Sequence, residues 1–104
     1  MKPGSLITLV AEKDFMESVV ELARLMGWKS YHTFNSRRSE AGFPDLCMTR
    51  GGRVIFAELK TDKGKVSPAQ REWLDALALC PGLEVLVWRP SDWDDVEYTL
   101  RRRP

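Results

Sequence analysis

The pair Gly51-Gly52, set between two runs of strand-forming residues, constrains this chain more than any other feature. Leu46 to Arg50 and Arg53 to Lys60 read as the two arms of a β-hairpin, and Gly-Gly is a favoured two-residue turn. That turn fixes the register. Arg50 faces Arg53, and Asp45 falls directly opposite Glu58. Opposed side chains on one sheet face have Cβ atoms about 4.5–5.5 Å apart. Lys60 lies two residues beyond Glu58 and shares its face, as do Val54 and Phe56. A one-residue slip would destroy this grouping.

Two opposed carboxylates destabilise a sheet unless something lies between them. A divalent cation is one resolution. Hard oxygen ligands at this separation suit Mg²⁺, which binds through one or two carboxylates together with waters and phosphate oxygens. The other resolution is a salt bridge between Lys60 and one of the two acids at the sheet end.

The rest of the chain supplies a scaffold for the hairpin. Residues 11–26 read as an amphipathic helix with Phe15, Val19, Leu22 and Met26 in one stripe, stopped by Gly27. At about 100° per residue, Glu12 falls about 60° from Phe15, inside the stripe, whereas Asp14, Glu17 and Glu21 face away. Glu12 is therefore the candidate third carboxylate. An acid at a helix start is also favoured by the dipole alone.

Trp28 to Phe34 reads as a strand, Asn35 to Gly42 as a loop, and Thr61 to Val66 as a polar loop centred on Gly64. Ser67-Pro68-Ala69-Gln70 is a helix start, with Ser67 as N-cap, Pro68 at the first helical position and Gln70 as capping-box partner. Gln70 can serve the site as well. That helix runs to about Cys80, where Pro81-Gly82 ends it. Leu83 to Trp88 follows as a mostly apolar strand, expected to be central in the sheet. Ser91 is the expected cap of a last helix to about Leu100. The order α-β-β-β-α-β-α implies an α/β fold, a mixed sheet flanked by helices. His32, the only histidine, and the four tryptophans read as structural.

Length and charge narrow the function. The chain has 104 residues, which fits one domain, and no apolar run approaches the ~18 residues of a membrane span. The start Met1-Lys2-Pro3-Gly4 lacks the pattern of a secretory signal. Cys47 and Cys80 are too few for a disulfide scaffold. The expectation is a cytoplasmic protein with both cysteines reduced and buried. Net charge is only +1, yet residues 37–71 carry eight Lys/Arg against four acids, while the remainder carries eight against eleven. A basic middle on a near-neutral chain implies a local polyanion site, or else a solvated charged surface.

The residues assembled above carry a family resemblance. Gly42-Phe43-Pro44-Asp45-Leu46, then Glu58-Leu59-Lys60, resembles the split signature of the PD-(D/E)XK nuclease superfamily, with thirteen residues from Asp45 to Glu58. Trp28 to His32, Gly64, Ser67 to Gln70, Trp73 and Trp88 to Trp93 resemble the small stand-alone VRR-NUC (virus-type replication-repair nuclease) domains of phages and bacteria. The resemblance covers residues 11–100. Met16 departs from it, standing where close relatives carry a polar residue.

The resemblance implies a restriction-endonuclease-like core and Mg²⁺- or Mn²⁺-dependent hydrolysis of DNA. It implies branched substrates such as Holliday junctions, in a bacterial or phage-infected cell, and a homodimer. Asp45 and Glu58 would be metal ligands, joined by Glu12 and the Leu59 carbonyl. Lys60 would be the catalytic lysine, and Gln70 would match the motif after the hairpin. Arg37, Arg38, Lys63, Lys65 and Arg71 would contact flanking phosphates without reading sequence. The competing expectation is a catalytically inactive DNA-binding or assembly module on the same fold. A hydrolase of small phosphorylated molecules is disfavoured, because no Gly-rich phosphate cradle is present.

Overall fold

A computed structural model of the chain describes residues 11–33 and 40–103. Helix α1 spans Glu12–Leu25, strand β1 Lys29–His32, β2 Leu46–Arg50 and β3 Arg53–Leu59. Helix α2 spans Pro68–Ala78, β4 Leu83–Trp88 and α3 Trp93–Arg101, with a single 3-10 turn, Pro90–Asp92, before α3. The sheet runs β1-β2-β3-β4. The first three strands are antiparallel, and β4 lies parallel to β3 after the α2 crossover. This is the α/β architecture and element order expected from the sequence.

The two faces of β3 differ because side chains alternate along a strand. Ile55, Ala57 and Leu59 are buried with Leu46 and Met48 of β2, under Phe15, Val19 and Ala23 of α1 and Val96 and Leu100 of α3. Phe56 turns to the opposite face, where Phe43 packs edge-on between it and Trp73 of α2, with centroids 5.9 and 5.0 Å apart. The acidic site lies on this α2-covered face.

The hairpin forms in the expected register, from Arg50 opposite Arg53 to Leu46 opposite Ala57. Its tip is tied to the end of α3. The Arg50 and Arg53 guanidiniums each lie 4.9 Å from the Trp28 ring centroid. Arg50 donates to Met26 O and Leu100 O, and Trp28 Nε1 donates to Leu100 O at 2.8 Å. Arg53 pairs with Glu84 at 2.6 Å and donates to the carbonyls of Thr99 and Arg102. Two charges of the basic middle segment thus serve internal bonds.

Several expectations need correction. Strand β4 is an edge, not the centre. Its side chains are half-buried because Trp88 and Leu86 join the main core while α2 packs on its other face. Burial of both faces makes a strand look central in sequence, but it says nothing about whether the outer edge is paired. Ser91 caps nothing. It lies in the 3-10 turn, and the Asp92 carboxylate accepts the Arg89 N–H there. Cys80 is exposed and Cys47 half-buried, both as free thiols. β1 begins at Lys29 rather than at Trp28, whose ring lies in the core, while Phe34 at the expected far end lies outside the described residues. Among the described residues no helix is long and apolar enough to cross a membrane.

Candidate active site

The site grows from the open end of the hairpin. The β2–β3 ladder ends at Leu46 and Ala57, and one step further Asp45 supplies a side chain where a backbone acceptor would have stood: its Oδ2 accepts the Leu59 N–H at 2.8 Å. On the other side, the Thr33 N–H donates to Asp45 O at 2.8 Å and the Thr33 hydroxyl to Pro44 O at 3.0 Å. Asp45 is therefore held by both neighbouring strands.

Gly42 explains how the preceding loop reaches this position. Its φ is +91°, and a Cβ there would lie 2.5 Å from the backbone carbonyl of Ala69 and 2.8 Å from the Gln70 nitrogen. Only glycine allows the loop to pass against the first turn of α2.

That first turn reaches the site through one side chain. Ser67 Oγ accepts the Gln70 N–H at 3.2 Å, and Gln70 Oε1 accepts the Ser67 N–H at 2.8 Å, completing the expected capping box. The same Gln70 amide donates through Nε2 to Glu58 Oε2 at 2.9 Å. Lys60 Nζ stands 3.7 Å from the same oxygen and is largely buried.

Glu58 is 1% exposed, and its second oxygen, Oε1, is buried and accepts no N–H or hydroxyl among the described residues. Its carboxyl is pushed up to about 8, first by burial, then by the charge of Asp45 and by sharing a proton with it. Lys60 pulls the other way, and the Glu12 charge adds a smaller push. Without a cation, then, the two acids are better accommodated sharing a proton than both ionised.

The remaining expected residues are distributed unevenly. Glu12, the first residue of α1, is exposed rather than inside the buried stripe, although its charge reaches Glu58. Among the described residues no three His, Cys, Asp or Glu side chains converge as a metal-holding group. The Leu59 side chain is fully buried in the core. Lys63 and Lys65 are exposed on the loop after β3, and Arg71 is exposed on α2, 3.5 Å from the Asp75 carboxylate. Arg37 and Arg38 lie outside the described residues. His32 is exposed on β1, facing away from the acidic pair.

One contributor escaped the sequence reading. Arg89 donates to the carbonyls of Thr61 at 2.7 Å and Gly64 at 2.6 Å, fixing the loop that follows Lys60. A lone arginine before a proline carries no sign in sequence that it folds back on a loop.

The chain therefore has an α/β scaffold that presents two acids and a lysine at the end of one hairpin. A scan against protein-family models matches the VRR-NUC domain over residues 6–91. The chain belongs to the VRR-NUC domain family, whose members are nucleases. A solved structure described as a VRR_NUC domain protein is similar in fold, with a TM-score of 0.67 at 22% identity, covering 88% of this chain and 90% of that one. No curated protein matches the chain.

Proposed function

We propose that this domain is a divalent-cation-dependent endonuclease that hydrolyses DNA phosphodiester bonds, selects branched DNA such as four-way junctions, and acts as a homodimer. Nuclease domains of this superfamily generally use divalent metals. The observation that carries the reading is the buried Glu58 Oε1, an acceptor that receives no N–H or hydroxyl among the described residues and lies beside a second carboxylate. A hard cation satisfies that oxygen and removes the repulsion between the pair.

Asp45 and Glu58 would hold Mg²⁺ or Mn²⁺, with Glu12 acting through water and the Leu59 carbonyl completing the protein ligands. When bound there, such an ion would supply polarisation of the scissile phosphate and a lowered pKa of a bound water. Lys60 orients the attacking water or stabilises charge developing on the phosphorus-bound oxygens. The water oxygen bonds to phosphorus as the ester P–O bond breaks. Gln70 holds Glu58 in position through its Oε2. Lys63, Lys65 and Arg71, with Arg37 and Arg38, contact flanking phosphates and so position the duplex without reading bases. One site cuts one strand, so a symmetric junction cut takes two sites related by a two-fold axis.

The test incubates the pure protein with a four-way junction and with its linear arms, under Mg²⁺, Mn²⁺ or EDTA. Cation-dependent cutting of the junction in preference to its arms is expected. The Lys60→Ala variant is expected to bind the junction while cleavage falls by orders of magnitude. Binding without cleavage by the unmodified protein under every cation would instead favour an inactive DNA-binding module.

A further inference from the structure

Beside the acidic pair, on the same sheet face, lies a groove of about 320 Å³ lined by Tyr31, Thr33, Glu40, Phe43 and Trp73. The register explains its position. Tyr31 is opposite Cys47, which is opposite Phe56, so these three form one row across the sheet on the α2 side. The next row toward the end of the hairpin is Thr33, Asp45 and Glu58, as the Thr33 N–H to Asp45 O bond requires. The groove thus begins one strand spacing, about 4.8 Å, from Asp45. Phe43 is two residues before Asp45, and Trp73 is one helical turn after Gln70, so the groove and the acidic pair share both of their supporting elements.

The chemistry of the lining selects its occupant. Three aromatic side chains meet there, and Tyr31 is 63% exposed, with no covering element among the described residues. Among the described residues, the ionisable side chains in the lining are Glu40 and the Tyr31 phenol. The Glu40 carboxylate repels a phosphate. A neutral planar base has an aromatic face for stacking and amino groups that a carboxylate can accept.

We infer that this groove receives one unpaired nucleobase next to the phosphodiester held at the acidic pair. This rests on the nuclease reading and sharpens it. Selection of branched DNA would come partly from bases that a perfect duplex keeps stacked and a branch point releases. Stacking is tolerant of base identity, so the groove selects unpaired over paired nucleotides rather than one sequence.

The test measures binding of the full chain, with Ca²⁺ in place of Mg²⁺, to three duplexes: one with a single bulged 2-aminopurine, one with an abasic bulge, and one fully paired. The bulged base is expected to bind about tenfold or more tighter than the abasic bulge, with its fluorescence quenched on binding. Tyr31→Ala, an exposed substitution, is expected to erase that preference while Tyr31→Phe keeps it. Equal affinity for the base and abasic bulges, or a preference unchanged in Tyr31→Ala, overturns the inference. If that occurs while the unmodified protein still cuts junctions and Lys60→Ala does not, the nuclease reading stands alone. If no DNA is bound or cut under any cation, both fall.

Discussion

Gln70 joins Glu58 to the start of α2: its Nε2 donates to Glu58 Oε2 at 2.9 Å while its Oε1 accepts the Ser67 N–H at 2.8 Å. A residue that reads as a helix cap also fixes the orientation of a buried acid. The two roles use different atoms of one amide, so neither weakens the other. Removing the side chain should therefore produce two separable effects. Gln70→Ala is expected to cost about 1 kcal/mol of stability through the lost cap, measured by urea unfolding. Cleavage is expected to fall about tenfold or more, since a bond to a charged group is among the stronger ones. A stability loss with full activity would confine Gln70 to capping.

The Glu58 carboxyl gives the cation-free protein an unusual pH response. Its value is raised from 4.5 to about 8 on folding, so the folded chain binds a proton that the unfolded chain releases. That contribution to stability is complete below about 4.5 and is lost as pH rises through about 8. Urea midpoints in EDTA are expected to fall across this window, with Asp45, Lys60 and Glu12 as the charged neighbours that set its position. In Glu58→Gln the slope is expected to flatten and the protein to be more stable than the unmodified chain at pH 8. An unchanged slope in that variant would place the titration elsewhere.

Gly42 is expected to tolerate no side chain. Gly42→Ala places a methyl against the Ala69 backbone at a φ of +91°. It is expected to cost about 2 kcal/mol or more, beyond the ordinary Gly-to-Ala effect, and to reduce cleavage by displacing Asp45. Gly52, also at positive φ but with open space around it, separates conformational strain from steric contact. Gly52→Ala is expected to cost only the conformational part, about 1 kcal/mol, and to leave cleavage unchanged. Equal losses at both positions would attribute the effect to φ alone.

The acidic pair was legible in sequence because a two-residue turn and a period of two leave little freedom: once Gly51-Gly52 is the turn, the placement of Asp45 beside Glu58 follows. Helix starts were legible for the same reason, as Ser67, Pro68 and Gln70 signal through local bonds. What the sequence hid was tertiary. The edge position of β4 depends on which strand pairs with which, and its apolar side chains look the same in either place. Glu12 is exposed at the start of α1, where no preceding turn covers it, although its charge reaches Glu58: periodicity speaks to direction and not to burial. The Arg50 and Arg53 contacts to Trp28 and the end of α3, and the Arg89 clamp, join residues far apart in the chain. Residue spacing holds no trace of such bonds.

Sharing of a divalent cation by Asp45 and Glu58 is measured by titrating Mn²⁺ into the protein near pH 7, followed by calorimetry. Binding is expected with release of a proton, because Glu58 holds one in the cation-free state and a ligating carboxylate must give it up. Binding is expected to be lost in Asp45→Asn and in Glu58→Gln. Mn²⁺ binding of undiminished strength in both variants, or no binding by the unmodified chain, would contradict the account.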